Sequence, residues 1–328
     1  MADLKTTYMG IPIENPLLVG ASTLTIRPEK VKELADAGAG GVVLKSIFEE
    51  QIRADVAETY EELNGGMHPE AYQYLSADLP MQLGPAQYLK RITKIKAAVD
   101  IPVIASINCI TRARWEAFAK QAQSAGADAL ELNIYDVPDD PDTPGAEVER
   151  RHLDLLTGVK AAVTIPVAVK IGPYYSSILD ITRRLSRLGA DAIVMFNRFF
   201  QPDIDLSALA LKASLNLSRP EDMLLPLRWV AIIRDLVSCD ISLTGGVHDW
   251  RGAAKAILAG ANTFQVCSVL YKKGPGEIAS IIDGLSKWMD ERGYGALDDF
   301  QGLMRERNLG DNRGFERAQY VKALVGLE

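Results

Sequence analysis

Eight short apolar runs in this chain of 328 residues stop at polar or very small residues, and those ends hold most of the chemistry on offer. They are Ala21-Ser22, Lys45-Ser46, Asn108, Asn133, Lys170, Asn197, Gly245-Gly246 and Cys267-Ser268. Two lysines, three amides and several small hydroxyls suit an anionic, planar, hydrogen-bonding cofactor. They do not suit a metal, because histidine and carboxylate ligands are missing from these positions. Lys170 lies at the end of VAVKI and is expected to be nearly buried, which is costly unless an anion or an electron-rich ring takes up its charge. Lys45 ends GVVLK in the same way, with snorkelling into solvent as its plainer role. Each asparagine alone would pass for a turn residue. Three of them at run ends favour a site.

The stretch Asp240 to Leu270 reads as a strand, an amphipathic helix and a second strand. Its first strand stops at Gly245-Gly246, where missing side chains let backbone N–H groups approach an anion. The second stops at Cys267-Ser268. A helical crossover brings both ends to one edge of a sheet, so the two loops converge on a space of phosphate size. A short helix expected near Pro275 would add its N-terminus. Without such surroundings the glycine pair would read only as a tight turn. Of the three histidines, His68 and His152 are expected at the surface, while His248 opens a helix near the phosphate loop. Asp136, Asp139, Asp140 and Asp142 crowd one loop, and the last three read as a solvated acidic lid.

These ends need elements that bring them together, and the chain repeats one. DAGAGGVVLKS, SAGADALELN, RLGADAIVMFN and LAGANTFQVCS each pass from a helix end through a glycine turn into an apolar strand expected to be covered on both faces. KAAVDIPVIASIN and KAAVTIPVAVKIG repeat a second phrase. Strands are expected from Leu17, Gly41, Pro102, Ala129, Pro166, Ala192, Ile241 and Thr263, with helices over Thr111 to Ala125, Glu147 to Val163, Ser177 to Leu188 and Trp250 to Leu258. Alternating β and α units in that number imply an α/β fold, a closed (β/α)8 TIM barrel, with a doubly wound open sheet as the alternative. The first strand lacks a following G-x-G-x-x-G, which weakens that alternative. Long segments at Ile47 to Pro80, Tyr135 to Ala146 and Arg198 to Pro226 follow strands and so belong to the face where barrels build sites. The reading is one barrel domain over residues 1–328, with 291–328 as an accessory extension, a helix pair and possible oligomer contact.

Composition limits the partners. A formal net charge of −7 gives no field to gather nucleic acid or anionic lipid. No apolar run approaches the ~20 residues that span a bilayer. Cys109, Cys239 and Cys267 cannot pair completely and lack metal spacing, and the N-terminus carries no secretion pattern, so a cytoplasmic location is expected.

The segments ENPLLVGAS, GGVVLKS, ADALELN, PVAVKI, LTGGV and QVCSVLYKKGP, in this order over nearly the whole chain, resemble the dihydroorotate dehydrogenase family of FMN-dependent barrels. The resemblance implies an FMN enzyme of pyrimidine biosynthesis, or one acting on a related pyrimidine-like substrate at a CH–CH bond. It places Ala21 and Ser22 along the flavin, and Lys45 and Lys170 at its ring and ribityl oxygens. Asn108 and Asn133 bond flavin or substrate, Asn197 lies near the ring, and Gly245, Gly246, Cys267 and Ser268 hold the phosphate. A homodimer is also implied. The family's catalytic loop reads LNxSCPN or LNxSxPN, with cysteine or serine as base. Here it reads LNIYDVPDD, so Asp136 occupies the base position, with Tyr135 as a weaker candidate. LSADLP from Leu75 and LNLSRPE from Leu215 also depart from the family pattern, and Arg198 follows Asn197 where it would meet a substrate carboxylate. Two other classes stay open: a Schiff-base lyase using Lys170 as nucleophile, and a flavin-binding barrel without catalysis.

Overall fold

The computed structural model describes residues 2–48, 84–108, 112–138, 140–198, 201, 203–212, 216–305 and 325. Most of the first long insertion, with His68 and LSADLP, lies outside them, as do Cys109, Asp139, Leu215 and nearly all of the chain beyond 305.

A hairpin of β1 (Thr6–Tyr8) and β2 (Ile11–Ile13) comes first. The β-branched runs then form β3 (Leu17–Val19), β4 (Gly41–Val43), β5 (Ile47–Phe48), β6 (Val103–Asn108), β7 (Ala129–Asn133), β8 (Val167–Ile171) and β9 (Ala192–Met195). A second hairpin, β10 (Asp203–Asp205) and β11 (Ala210–Lys212), precedes β12 (Asp240–Thr244) and β13 (Thr263–Val266). Eight of these strands pair in the order β4-β3-β13-β12-β9-β8-β7-β6, and β6 pairs back onto β4. Every pairing in this ring is parallel. The return of β6 to β4 closes the (β/α)8 barrel and excludes the open doubly wound sheet.

The helices form where capping and apolar spacing agree. Proline opens the helices Pro28–Asp36 and Pro85–Lys96, a position where its missing N–H costs no bond. Ser177 accepts the Asp180 N–H ahead of the helix Ile178–Arg187, and Asp249 accepts that of Gly252 ahead of Trp250–Ala259. The latter helix ends at Gly260 with φ of 113°. Helices Arg112–Ser124, Gly145–Ala162 and Leu224–Ile233 complete the outer layer. Between helices and strands lies the larger core, including Trp115, Phe118, Leu156, Ile181 and Phe264. Among the described residues, no helix is long and apolar enough to cross a membrane.

A smaller core fills the barrel where the strands begin. Leu18, Val43, Ile104, Ala129, Ala168, Ala192 and Val194 pack there beneath Tyr8, Met9 and Ile13 of the first hairpin. That hairpin turns through Met9 and Gly10 at φ of 53° and 74°, the geometry of a two-residue primed turn. The Met9 N–H donates to Asp240 Oδ2 at 2.7 Å and ties the plug to β12. One end of the barrel is thus stoppered, leaving the C-terminal strand ends as the mouth.

The strands are covered on both faces, as expected, and Ser106, Glu131, Lys170, Ser242 and Gln265 are buried polar residues set among their apolar neighbours. Alternation puts one of the two faces of each strand inside the barrel, and polar groups collect there above the small apolar floor. Of the segment after Arg292, expected as a helix pair, residues 293–305 are described and the stretch 306–324 lies outside the described residues. Gly293, at φ of 76°, ends the helix Glu277–Arg292, and a 3₁₀ turn at Leu297–Asp299 follows. Phe300 then packs against Trp288 and Tyr294, while the N–H groups of Gly302 and Met304 bond the carbonyls of Ile257 and Leu258.

Candidate active site

Three of the strand-end amides form one connected array. Asn133 Nδ2 donates to Ser46 Oγ at 3.1 Å, its Oδ1 accepts from Asn197 Nδ2 at 2.6 Å, and its carbonyl accepts from Asn108 Nδ2 at 2.9 Å. Ser46 Oγ in turn lies 2.7 Å from Ser106 Oγ. The ends of β4, β6, β7 and β9 are therefore linked through side chains. Behind them, Tyr88 of the helix Pro85–Lys96 donates to the Ser106 carbonyl at 2.9 Å and accepts its N–H at 3.0 Å. Burial pushes the Tyr88 phenol far up, so it stays protonated and can serve both bonds. Nothing in the local pattern of that helix marks Tyr88 as part of the site, because its role depends on packing behind β6.

Register sets Lys170 beside Asn133 on β8 and β7. Lys170 is buried, and its Nζ lies 3.7 Å from Oε1 of Glu131, itself 1% exposed. Glu131 Oε2 accepts from Gln265 Nε2 at 2.7 Å. Neither Glu131 nor Gln265 was a candidate from sequence, although a carboxylate inside the apolar run ALELN was the available signal. Lys45 is half-buried, and burial together with the nearby Arg91 cation holds its ammonium below the usual range. Arg91, another residue not foreseen, adds positive charge near this part of the mouth.

The phosphate end is built from loops. Gly245 and Gly246 both adopt positive φ, at 97° and 78°. A Cβ on Gly246 would lie 2.3 Å from the Met223 nitrogen, whereas one on Gly245 would meet nothing within 4 Å. Gly246 lets two backbone segments touch, and Gly245 faces open space. Ser268 Oγ accepts the Ser218 N–H at 2.9 Å, Ser218 Oγ lies 3.1 Å from His248 Nε2, and Lys272 Nζ donates to the Ser218 carbonyl at 2.7 Å. Burial and the Lys272 charge lower the His248 pKa. The short helix is Ser268–Lys273, starting directly after Cys267, while the helix after Pro275 is the long Glu277–Arg292. The expected short helix near Pro275 is corrected accordingly: Gly274, with φ of 89°, separates the two. Cys267 follows β13, and burial pushes its thiol pKa up against the opposing pull of Lys170. Ala21 and Ser22 follow β3, and the Ser22 hydroxyl is buried beside the Cys267 thiol, whose ionised form it favours.

Asp136 sits apart from the amide array. Its Oδ2 lies 3.2 Å from His152 Nε2 and 3.8 Å from Arg151, both on the helix Gly145–Ala162. His152 Nδ1 lies 3.1 Å from Tyr175 OH. His152 is therefore not a surface residue, as expected from its Arg-rich neighbours, but is 7% exposed. Helical rotation turns it inward while Arg150 and Arg151 face out. Burial lowers the His152 pKa and raises that of Tyr175, so the imidazole is neutral and the phenol protonated. The phenol then donates to Nδ1, leaving Nε2–H to donate to Asp136. These three residues border a cavity of about 150 Å³ with Ile134, Glu149 and Ser176. Arg198, at the other side, pairs with Asp222 at 3.2 Å.

Comparison with known proteins bears on this arrangement. Residues 3–289 match the family model described as dihydroorotate dehydrogenase. The chain is similar to a dihydroorotate dehydrogenase B (NAD(+)) catalytic subunit from Thermoplasma acidophilum, with 28% identity over 319 residues covering 92% of this chain and 99% of that protein. A protein of the same description from Pyrococcus abyssi is 29% identical over 310 residues, covering 92% and 98%. The NAD-dependent dihydropyrimidine dehydrogenase subunit PreA of Escherichia coli K12 is 25% identical over 345 residues, covering 99% and 82%.

Proposed function

We propose that this chain, an oxidoreductase that belongs to the dihydroorotate dehydrogenase family, binds FMN at its barrel mouth and oxidises or reduces a dihydropyrimidine ring across a CH–CH bond. The observation that carries this reading is the linked array Asn108, Asn133, Asn197 and Ser46, level with a buried lysine at the open end of the barrel. Such an array offers donors and acceptors in a ring, as the edges of a flavin or a pyrimidine require.

The residues present fit FMN on three counts. Lys170 is a buried lysine at the mouth, the Ser22 hydroxyl is buried beside the Cys267 thiol, and Gly245 faces open space. Lys45 and Lys170 would face the ring and ribityl oxygens. Ala21 and Ser22 would line one edge, and Gly245, Gly246, Cys267 and Ser268 would take the phosphate. When bound, the flavin supplies a two-electron acceptor, and cations beside its ring favour the reduced, anionic form.

Proton transfer is assigned to Asp136. The carboxylate is ordered by a neutral His152 that is itself held by Tyr175, an arrangement that fixes both its position and the direction of its hydrogen bond. Arg198 is the group proposed to meet a substrate carboxylate, exchanging Asp222 for it. The names of the relatives carry "catalytic subunit" and "subunit", and on that basis we assign electron exchange with NAD to a partner subunit. Family membership favours this reading over the Schiff-base lyase, and Lys170 faces a carboxylate rather than a second cation that would free its amine.

The test is the absorbance spectrum of the purified chain, followed by anaerobic addition of dihydroorotate and then of other dihydropyrimidines. A yellow protein bleached by one of them is the expected result. A protein that takes up no flavin even on reconstitution overturns the reading.

A further inference from the structure

The assignments above leave unexplained a carboxylate in the middle of the barrel. Glu131 lies on β7 and Gln265 on β13, and in the closed ring these strands stand opposite each other, with three strands between them in either direction. Their 2.7 Å hydrogen bond therefore crosses the barrel interior. It occupies only Oε2. Oε1 is buried without a hydrogen-bond partner, and Lys170 Nζ stands 3.7 Å from it. Among the described residues Lys170 is the ion-pair partner that Glu131 has. On β8 it lies level with Asn133, one inward-facing step closer to the mouth than Glu131. A buried carboxylate is expensive unless paired, and a buried ammonium likewise, so each makes the other tolerable.

We propose that Glu131 is the internal counter-ion of Lys170: clamped from the opposite wall by Gln265, it fixes the lysine side chain in place just inside the barrel mouth. Glu131 is thus a positioning residue, acting through Lys170. The inference deepens the FMN reading and rests on it, since a buried counter-ion pair explains how a lysine inside an apolar strand is held in place beside an anionic cofactor. Among the described residues, the other groups set beside Lys170 are the Cys267 thiol, which burial keeps protonated, and the uncharged Asn133, so Glu131 is the one carboxylate paired with it there.

The experiment compares Glu131→Gln and Glu131→Asp with the unchanged full-length chain. Lys170 acylation by an N-hydroxysuccinimide ester is followed by peptide mass spectrometry on flavin-free protein, normalised to the exposed Lys30. FMN affinity is measured in parallel. Glu131→Gln is expected to release the lysine from its ion pair, so that Lys170 labels at least tenfold faster at pH 8 and FMN binds more weakly. Glu131→Asp is expected to move both readouts back towards the unchanged chain. Unchanged labelling and an unchanged FMN affinity in a folded Glu131→Gln protein would overturn the inference while leaving the FMN reading intact. Should that variant fail to fold, Gln265→Leu releases the clamp instead: faster labelling supports the role, and the original rate overturns it. If no chain binds FMN, the function proposed above fails, and the labelling rates still decide the role of Glu131.

Discussion

At the scale of single residues, the chemistry depends on which polar side chains are relieved of water and which are ordered by neighbours. Asp136 has both a histidine and an arginine within reach, so its replacement separates charge from shape. Asp136→Asn keeps the hydrogen bond geometry but removes the base, and turnover is expected to fall by about 10²–10⁴-fold with FMN binding unchanged. Turnover at the original rate in steady-state assays would discard the assignment. His152 allows a second prediction. Its folded pKa lies below the ordinary 6.5 because it is buried, so the unfolded chain binds the extra proton more readily. The stability it contributes is present above pH 6.5 and is lost as pH falls from 6.5 towards its lower folded value. Urea midpoints measured at pH 7.5 and pH 5 should drop more steeply for the original chain than for His152→Gln. Parallel curves would show that the imidazole is not buried in its neutral form.

Elements decide where those residues meet. The loop after β12 works because Gly246 lets its backbone lie against Met223, at a left-handed φ of 78°. Alanine there would strain the backbone by about 1–2 kcal/mol, and its Cβ would also collide with the Met223 nitrogen 2.3 Å away. Gly246→Ala should therefore lower the melting temperature and weaken FMN binding by tenfold or more, read by flavin fluorescence during titration. Gly245→Ala carries the same backbone strain without the collision, so the comparison isolates the contact. If both variants bind FMN as the original does, this loop does not hold the phosphate. The helix Gly145–Ala162 has a comparable part, because it sets both His152 and Arg151 against the Asp136 loop.

For the whole molecule, the barrel is a tube stoppered at one end. Tyr8, Met9 and Ile13 seal the floor, each contributing about 1.5–3 kcal/mol of burial. Deleting residues 2–13 is expected to cost about 5 kcal/mol or more, seen as a lower urea midpoint and new binding of a hydrophobic dye. An unchanged midpoint would mean that the floor is sealed without the hairpin. Much of this architecture was legible in the residues themselves. The eight strand positions, the helix limits within a few residues and the polar strand ends all follow from local periodicity, glycine and proline placement, and apolar runs, which act over a few residues. Gly245, Gly246, Lys170 and the three asparagines were identifiable for the same reason: their types conflict with, or punctuate, the local pattern. What only the tertiary structure decided is everything that joins residues distant in the chain. Glu131 meets Gln265 only because the sheet closes, Tyr88 reaches Ser106 only because its helix packs behind β6, and His152 turns inward only because the β8 loop brings Tyr175 over it. Apolar periodicity marks which residues are buried without saying against what, and the partner of a buried polar group is set by closure of the ring.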